Sequence, residues 1–177
     1  MGGDRQAVWC ILCVDMCALR FVQLDADLLP AIEPWFDDPE TIRFLGGRDW
    51  IRRELQLVKT AQTPELRDRK VEGREAWIAF EECAPVGFIG VERYDDGRAA
   101  CVIVVDPSVR RKGIGRAILE DVWQRPEMSR VQQLDTGVEP DNVASQSCVI
   151  AAGFTLSPTP DEEGMLHAVR ARPPRRC

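Results

Sequence analysis

Between residues 104 and 119 the chain reads Val104-Val105-Asp106-Pro107-Ser108-Val109-Arg110-Arg111-Lys112-Gly113-Ile114-Gly115-Arg116-Ala117-Ile118-Leu119. Four cations, Arg110, Arg111, Lys112 and Arg116, crowd around two glycines. Gly113 and Gly115 remove side chains where backbone N–H groups can converge on an anion. A helix opening at Ile114 would bring its positive end to the same place. The chemistry this spells is phosphate binding. It is not a Walker loop, because no Gly-Lys-Ser/Thr follows, and Gly113-Ile114-Gly115 lacks the third glycine of a dinucleotide fingerprint. Taken alone, the same residues also suit a surface turn that happens to be basic.

The flanking pattern says what must hold this loop. Ala99 to Val105 is a β-branched strand ending at Asp106-Pro107, and Ile114, Ile118 and Val122 recur every four residues as one face of a helix. The order is strand, loop, helix. Upstream, Ala76–Phe80 and Val86–Val91 flank Glu81-Glu82-Cys83-Ala84-Pro85 as a hairpin, and Asp95-Asp96-Gly97 is the next turn. Downstream, Pro126 ends the helix, Val131–Val138 reads as a strand and Asn142–Ala152 as a helix stopped by Gly153. Phe154–Leu156 and Met165–Val169 form a closing antiparallel pair.

Near the start, Leu19–Leu24 alternates as a strand, and Asp27 caps a helical stretch from Leu28 to Phe36 that Pro34 limits or kinks. Asp38-Pro39-Glu40 opens a turn or helix broken by Gly46-Gly47. Asp49 then caps a longer helix to about Ala61, with Trp50, Ile51, Leu55 and Val58 as its buried stripe. Thr63 to Gly73 is charged and carries Pro64, which reads as a solvated loop.

The 177 residues suit one domain. A hydrophobic share of 45% and a charged share of 29% are those of ordinary globular proteins. The net charge of −6 excludes a broad phosphate-tracking surface, so nucleic acid is not an expected partner, and it favours a cationic one. Seven cysteines form no paired framework and read as reduced thiols of a cytoplasmic protein. Cys10-x-x-Cys13 with Cys17 has no second pair, and the single histidine, His167, is far away, so no metal is expected. Nothing reads as a secretory signal or a membrane span. Residues 1–18 read as an N-terminal extension, with Met16 a candidate start. The domain is expected over 19–170, with a loose tail at 171–177.

Arg110-x-x-Gly113-x-Gly115 after a strand resembles the acyl-CoA loop of the GNAT superfamily of N-acetyltransferases. Asn142, Ser145 three residues later and Gly153-Phe154 resemble that family's second signature. Trp35-Phe36-Asp37-Asp38-Pro39-Glu40 is similar to the acceptor-side region of its branch of ribosomal-protein N-terminal and aminoglycoside 6′-N-acetyltransferases. The resemblance covers about residues 19–170. It implies an α/β fold with a mixed, mainly antiparallel central sheet flanked by helices, and a strand-loop-helix acyl-CoA site.

It also implies acetyl-CoA as co-substrate and a primary-amine acceptor; no metal is expected, and the sequence leaves monomer and homodimer both open. The backbone of Val104 and Val105 would bond the pantetheine amides as an added strand does. N–H groups from Arg111, Lys112, Gly113, Ile114, Gly115 and Arg116 would hold the pyrophosphate, with Arg110 at the motif's first position. Asn142 and Ser145 would face the pantetheine arm, or cap the helix. The tyrosine that many members use as acid is replaced by Val149, and the fourth strand, Ala99-Ala100-Cys101-Val102, lacks a glutamate base. Glu139 is then the leading carboxylate for catalysis and Glu92 the second. The expected activity is direct acetyl transfer to an aminoglycoside-like or polyamine-like amine. A protein N-terminus as acceptor, and a CoA-sensing module with little turnover, are the alternatives.

Overall fold

The computed structural model describes residues 19–60 and 69–174. The expected extension at 1–18, most of the charged stretch from Thr63, Cys10, Cys13, Cys17 and Cys177 lie outside them.

Seven strands form one sheet: β1 (Arg20–Gln23), β2 (Val71–Glu81), β3 (Ala84–Tyr94), β4 (Arg98–Val105), β5 (Gln133–Val138), β6 (Thr155–Leu156) and β7 (Leu166–Ala171), in the order β1-β2-β3-β4-β5-β7-β6. Every neighbouring pair is antiparallel except β4 and β5. Five α-helices cover it: α1 (Leu29–Ile32), α2 (Pro39–Leu45), α3 (Asp49–Thr60), α4 (Ile114–Asp121) and α5 (Val143–Ala151).

Alternation along the strands divides the core in two. Trp77, Ala79, Ile89, Val91, Ala99 and Leu134 face α4 and α5, where Ile114, Ile118, Leu119 and Val149 meet them. Ala76, Ile78, Phe88 and Val104 face the other way, toward Ile32, Phe36, Ile51 and Leu55 of the N-terminal helices. Trp50 joins that second layer by stacking on Phe36 and meeting Phe88 edge-on, each at 5.7 Å between centroids. Such aromatic pairs add about 0.5–1.5 kcal/mol each beyond the area they bury.

Four sequence expectations change. Asp25, not Asp27, caps the first helical segment, its carboxylate accepting from the Asp27 N–H at 3.2 Å. That segment is no single helix from Leu28 to Phe36, because a 3-10 turn precedes α1 and another, carrying Pro34, follows it. β2 begins at Val71, five residues before Ala76, and its charged start is stabilised across the strand pair. Arg74 is ion-paired to Glu92, and Glu75 to Arg93 at 2.7 Å. The tail is held at its first residue beyond β7. Arg172 N donates to the Gln132 carbonyl at 2.7 Å, Arg172 Nε to the Val131 carbonyl at 2.9 Å, and the guanidinium lies over Trp123.

Candidate active site

The one parallel pair is paired over three residues only. Arg98, Ala99 and Ala100 oppose Gln133, Leu134 and Asp135, after which β4 runs on to Val105 and β5 to Val138 without meeting. Their outer sides stay paired: Val104 and Val105 oppose Phe88 and Gly87 of β3, and Val138 opposes Leu166 of β7. The result is a strand edge inside the sheet. Its unpaired N–H and C=O groups are a template for an extended, amide-bearing chain.

Because the strands are parallel, the loops and helix N-termini that follow them come to the same end of this gap. Gly113 is the N-cap of α4, in the left-handed region at φ +85°, and makes no side-chain cap bond. The first N–H groups of the helix, from Ile114 to Arg116, therefore have no intrahelical acceptor and point outward. Arg111 is also left-handed, at φ +63°, an uncommon conformation for a residue with a side chain. A Cβ on Gly113 would meet nothing within 4 Å, so the space over the helix end is open. Arg111 and Lys112 are exposed beside it, whereas Arg116 is paired with Glu120 at 2.9 Å. Geometry and charge both fit a diphosphate.

The two glycines have different roles. A Cβ on Gly115 would lie 2.8 Å from Cys148 Sγ and 3.4 Å from Val105 Cγ2, so this glycine lets α4 press on α5 and β4 rather than clearing room for an anion. Burial pushes the Cys148 thiol up, as befits a packing group. Gly115→Val is expected to cost about 1–3 kcal/mol by overpacking, and adding Cys148→Ala should recover part of it. Urea unfolding of the two variants measures both quantities.

On the β5 side, Asn142 is the N-cap of α5, and its Oδ1 accepts from the Ser145 N–H at 3.0 Å. The capping role is therefore real. It leaves Asn142 Nδ2 and Ser145 Oγ without protein partners among the described residues, on the helix end that borders the gap. Glu139 follows β5 directly. Its carbonyl accepts from the Asn142 N–H at 3.0 Å and from Gln146 Nε2 at 3.3 Å, which fixes the turn. Its half-buried carboxylate has no hydrogen bond or ion pair among the described residues. A cavity of about 450 Å³ opens between α2 and the start of α5, lined by Glu40, Phe44, Asp141, Asn142, Val143 and others, its α5-side wall beginning two residues after Glu139. Arg43 of α2 and Asp141 are ion-paired across its mouth.

Glu92 is placed differently. It opposes Ala100 near where the β4–β5 pairing ends, on the α1–α3 face, but Arg74 is ion-paired to it and the Tyr94 hydroxyl donates to it at 2.9 Å. Both oxygens are engaged. Burial, with Glu92 beside it, pushes the Tyr94 hydroxyl up to about 12. Glu54 of α3 was not singled out by the sequence reading. Its carboxyl is raised, mainly by burial, against the opposing charges of Arg74 and Arg53. The signal was present: Glu54 sits four residues after Trp50 and four before Val58, on the helix's inward stripe.

A family model described as an acetyltransferase (GNAT) domain matches residues 72–154, from β2 to just beyond α5. The uncharacterized N-acetyltransferase YfmK of Bacillus subtilis (strain 168) is 29% identical over 152 residues, 83% of this chain and 93% of that protein. The fold is shared with the aminoglycoside acetyltransferase AAC(6′)-Ib, solved with paromomycin and acetyl-CoA, at a TM-score of 0.69 and 18% identity over 88% of this chain and 94% of that one. It is shared too with RimL, a ribosomal L7/L12 alpha-N-protein acetyltransferase solved with coenzyme A, at 0.65 and 14% over 88% and 94%. Among the described residues no helix is long and apolar enough to cross a membrane, and no group of three or more His, Cys, Asp or Glu could hold a metal.

Proposed function

We propose that this protein moves the acetyl group of acetyl-CoA directly to a primary amine of a cationic small molecule, aminoglycoside-like or polyamine-like. The observation that carries the reading is the interior strand edge of β4 beside the uncapped N-terminus of α4. One offers amide partners to a pantetheine arm and the other N–H donors to a pyrophosphate. Acetyl-CoA supplies an acyl group activated as a thioester.

The chain's residues have three tasks. The N–H groups of Gly113 to Arg116, with Arg111 and Lys112, fix the phosphates. The free edge at Val104 and Val105 aligns the arm, and Asn142 Nδ2 and Ser145 Oγ offer it further polar contacts. Glu139 then holds the incoming ammonium and takes its proton, directly or through one water. The amine nitrogen forms its bond to the acyl carbon as the carbon–sulfur bond breaks, and the sulfur leaves with the electron pair. A thiol's pKa of about 8.5 makes it a good leaving group, so Val149 at the position where many relatives have an acid does not prevent turnover. Glu92, held by Arg74 and Tyr94, is less suited to accept that proton.

A small cationic acceptor is supported by the net charge of −6 and by Glu139, unpaired among the described residues and two residues before Asp141 of the cavity wall. The test is thiol release from acetyl-CoA with aminoglycosides, polyamines and N-terminal peptides in parallel. Fastest release with the polyamino compounds is expected. Faster release with peptides would move the acceptor to a protein N-terminus, and binding without release would make the chain a CoA sensor.

A further inference from the structure

The guanidinium of Arg110, the first residue of the anion loop's motif, does not face the open space above α4. It is turned to α2. Nη1 lies 2.8 Å from Asp38 Oδ2 and 2.5 Å from Glu40 Oε2, and Nη2 donates to Thr41 Oγ1 at 2.7 Å. Nε donates to the carbonyl of Val105, the last residue of β4, at 3.4 Å. Asp38 is itself the N-cap of α2, accepting from the Thr41 N–H at 3.0 Å, and Thr41 is 4% exposed. Burial pushes the Asp38 carboxyl up, but the Thr41 N–H and the Arg110 guanidinium outweigh it and hold it below the usual carboxylate range. One side chain thus joins the end of β4, the loop and the cap of a helix about 70 residues away in sequence.

The same α2 bears Glu40, Arg43 and Phe44, which line the cavity whose other wall begins at Asp141, two residues after Glu139. We propose that Arg110 is a positioning residue that fastens the phosphate-binding loop to this wall, so that the seat of the cofactor and the acceptor side are set together. The proposal rests on the acetyltransferase reading for which ligand occupies each side. Only a planar, forked cation can reach four acceptors on two segments at once, and a lysine ammonium would keep the attraction to Asp38 and Glu40 but lose the span to Thr41 and Val105. Without the arginine, Asp38 and Glu40 would stand unneutralised next to the loop that must receive the diphosphate.

The experiment uses the full chain and the variants Arg110→Ala, Arg110→Lys and Asp38→Asn, the last keeping the cap but removing a charge. Calorimetry gives the CoA affinity, steady-state kinetics at saturating acetyl-CoA give KM and kcat for the best amine, and hydrogen exchange without ligand reports on α2. Arg110→Ala should weaken CoA about tenfold and raise the amine KM about tenfold with kcat within about twofold, and Arg110→Lys should fall between it and the parent. Exchange at Thr41–Leu45 should quicken in both Arg110 variants while that of α3 stays unchanged.

An unchanged amine KM with weakened CoA would reduce Arg110 to a cofactor contact, and unchanged exchange in α2 would remove the link altogether. If Arg110→Ala does not fold, Arg110→Lys and Asp38→Asn carry the same comparison. Failure of the parent protein to bind CoA would overturn the acetyltransferase reading, yet the exchange result would still decide whether Arg110 couples loop to helix.

Discussion

Glu139→Gln is expected to lower kcat/KM for the amine by roughly 10²–10⁴ and to leave CoA affinity within about twofold. The cofactor side is untouched because the backbone of Glu139, not its side chain, braces the turn to Asn142 and Gln146. What is lost, on the proposed function, is the group that takes the proton. An amine with a pKa near 10 is almost wholly protonated at neutral pH, so without the carboxylate only the small neutral fraction reacts. That fraction grows about tenfold per pH unit below the amine's pKa, and the variant should recover accordingly as pH rises. A pH–rate profile of both proteins measures this. Equal rates at every pH would transfer the proton-accepting role to Glu54, whose carboxyl is already raised by burial, or to solvent.

Gly113→Asp is expected to weaken CoA by at least 100-fold while the melting temperature moves by no more than a few degrees. The left-handed φ at this position is one that Asp tolerates better than most residues, and its Cβ would enter open space. Folding is therefore little affected. Binding is not, because the new carboxylate would stand where the proposed function seats the diphosphate. Two like charges about 5 Å apart at an effective dielectric near 20 repel by about 3 kcal/mol, and the diphosphate carries more than one. Gly113→Asn is the matched control, with the same shape and no charge, and should lose much less. Calorimetric titration with CoA and a thermal melt of each variant separate the two effects. Equal losses in Asn and Asp would mean that bulk, not charge, closes the site.

Motifs written in consecutive residues are legible in the sequence. The strand ending in Asp106-Pro107, the two glycines with their cations, and Asn142 with Ser145 ahead of Gly153-Phe154 each code local geometry within a few positions. What was not legible depends on partners distant in sequence. Gly115 is required by Cys148 on another helix, and Arg110 by carboxylates on α2, and neither appears in the spacing around the loop. The start of β2 was hidden for a related reason. Its first residues, Val71 to Gly73, fall in the charged stretch that reads as a solvated loop, and the ion pairs that hold the start of the strand, Arg74 with Glu92 and Glu75 with Arg93, join residues on different strands. The shift of the first cap from Asp27 to Asp25 is of another kind, since either aspartate could cap and the choice depends on where Pro30 and Pro34 let the helical turns fall.

β4 has its ladder filled on one side only beyond Ala100. A ligand that completes the other side binds the folded chain and has nothing to bind in the unfolded one, so it acts as a part of the fold supplied from outside. At a concentration 100 times its Kd such a ligand adds about 2.7 kcal/mol of stability. For a chain of this size that corresponds to several degrees in Tm, at about 2–4 °C per kcal/mol. The lifetime of the protein against unfolding and proteolysis then rises and falls with the supply of acyl carrier around it, and starvation for the carrier would thin the enzyme's own numbers as well as idle it.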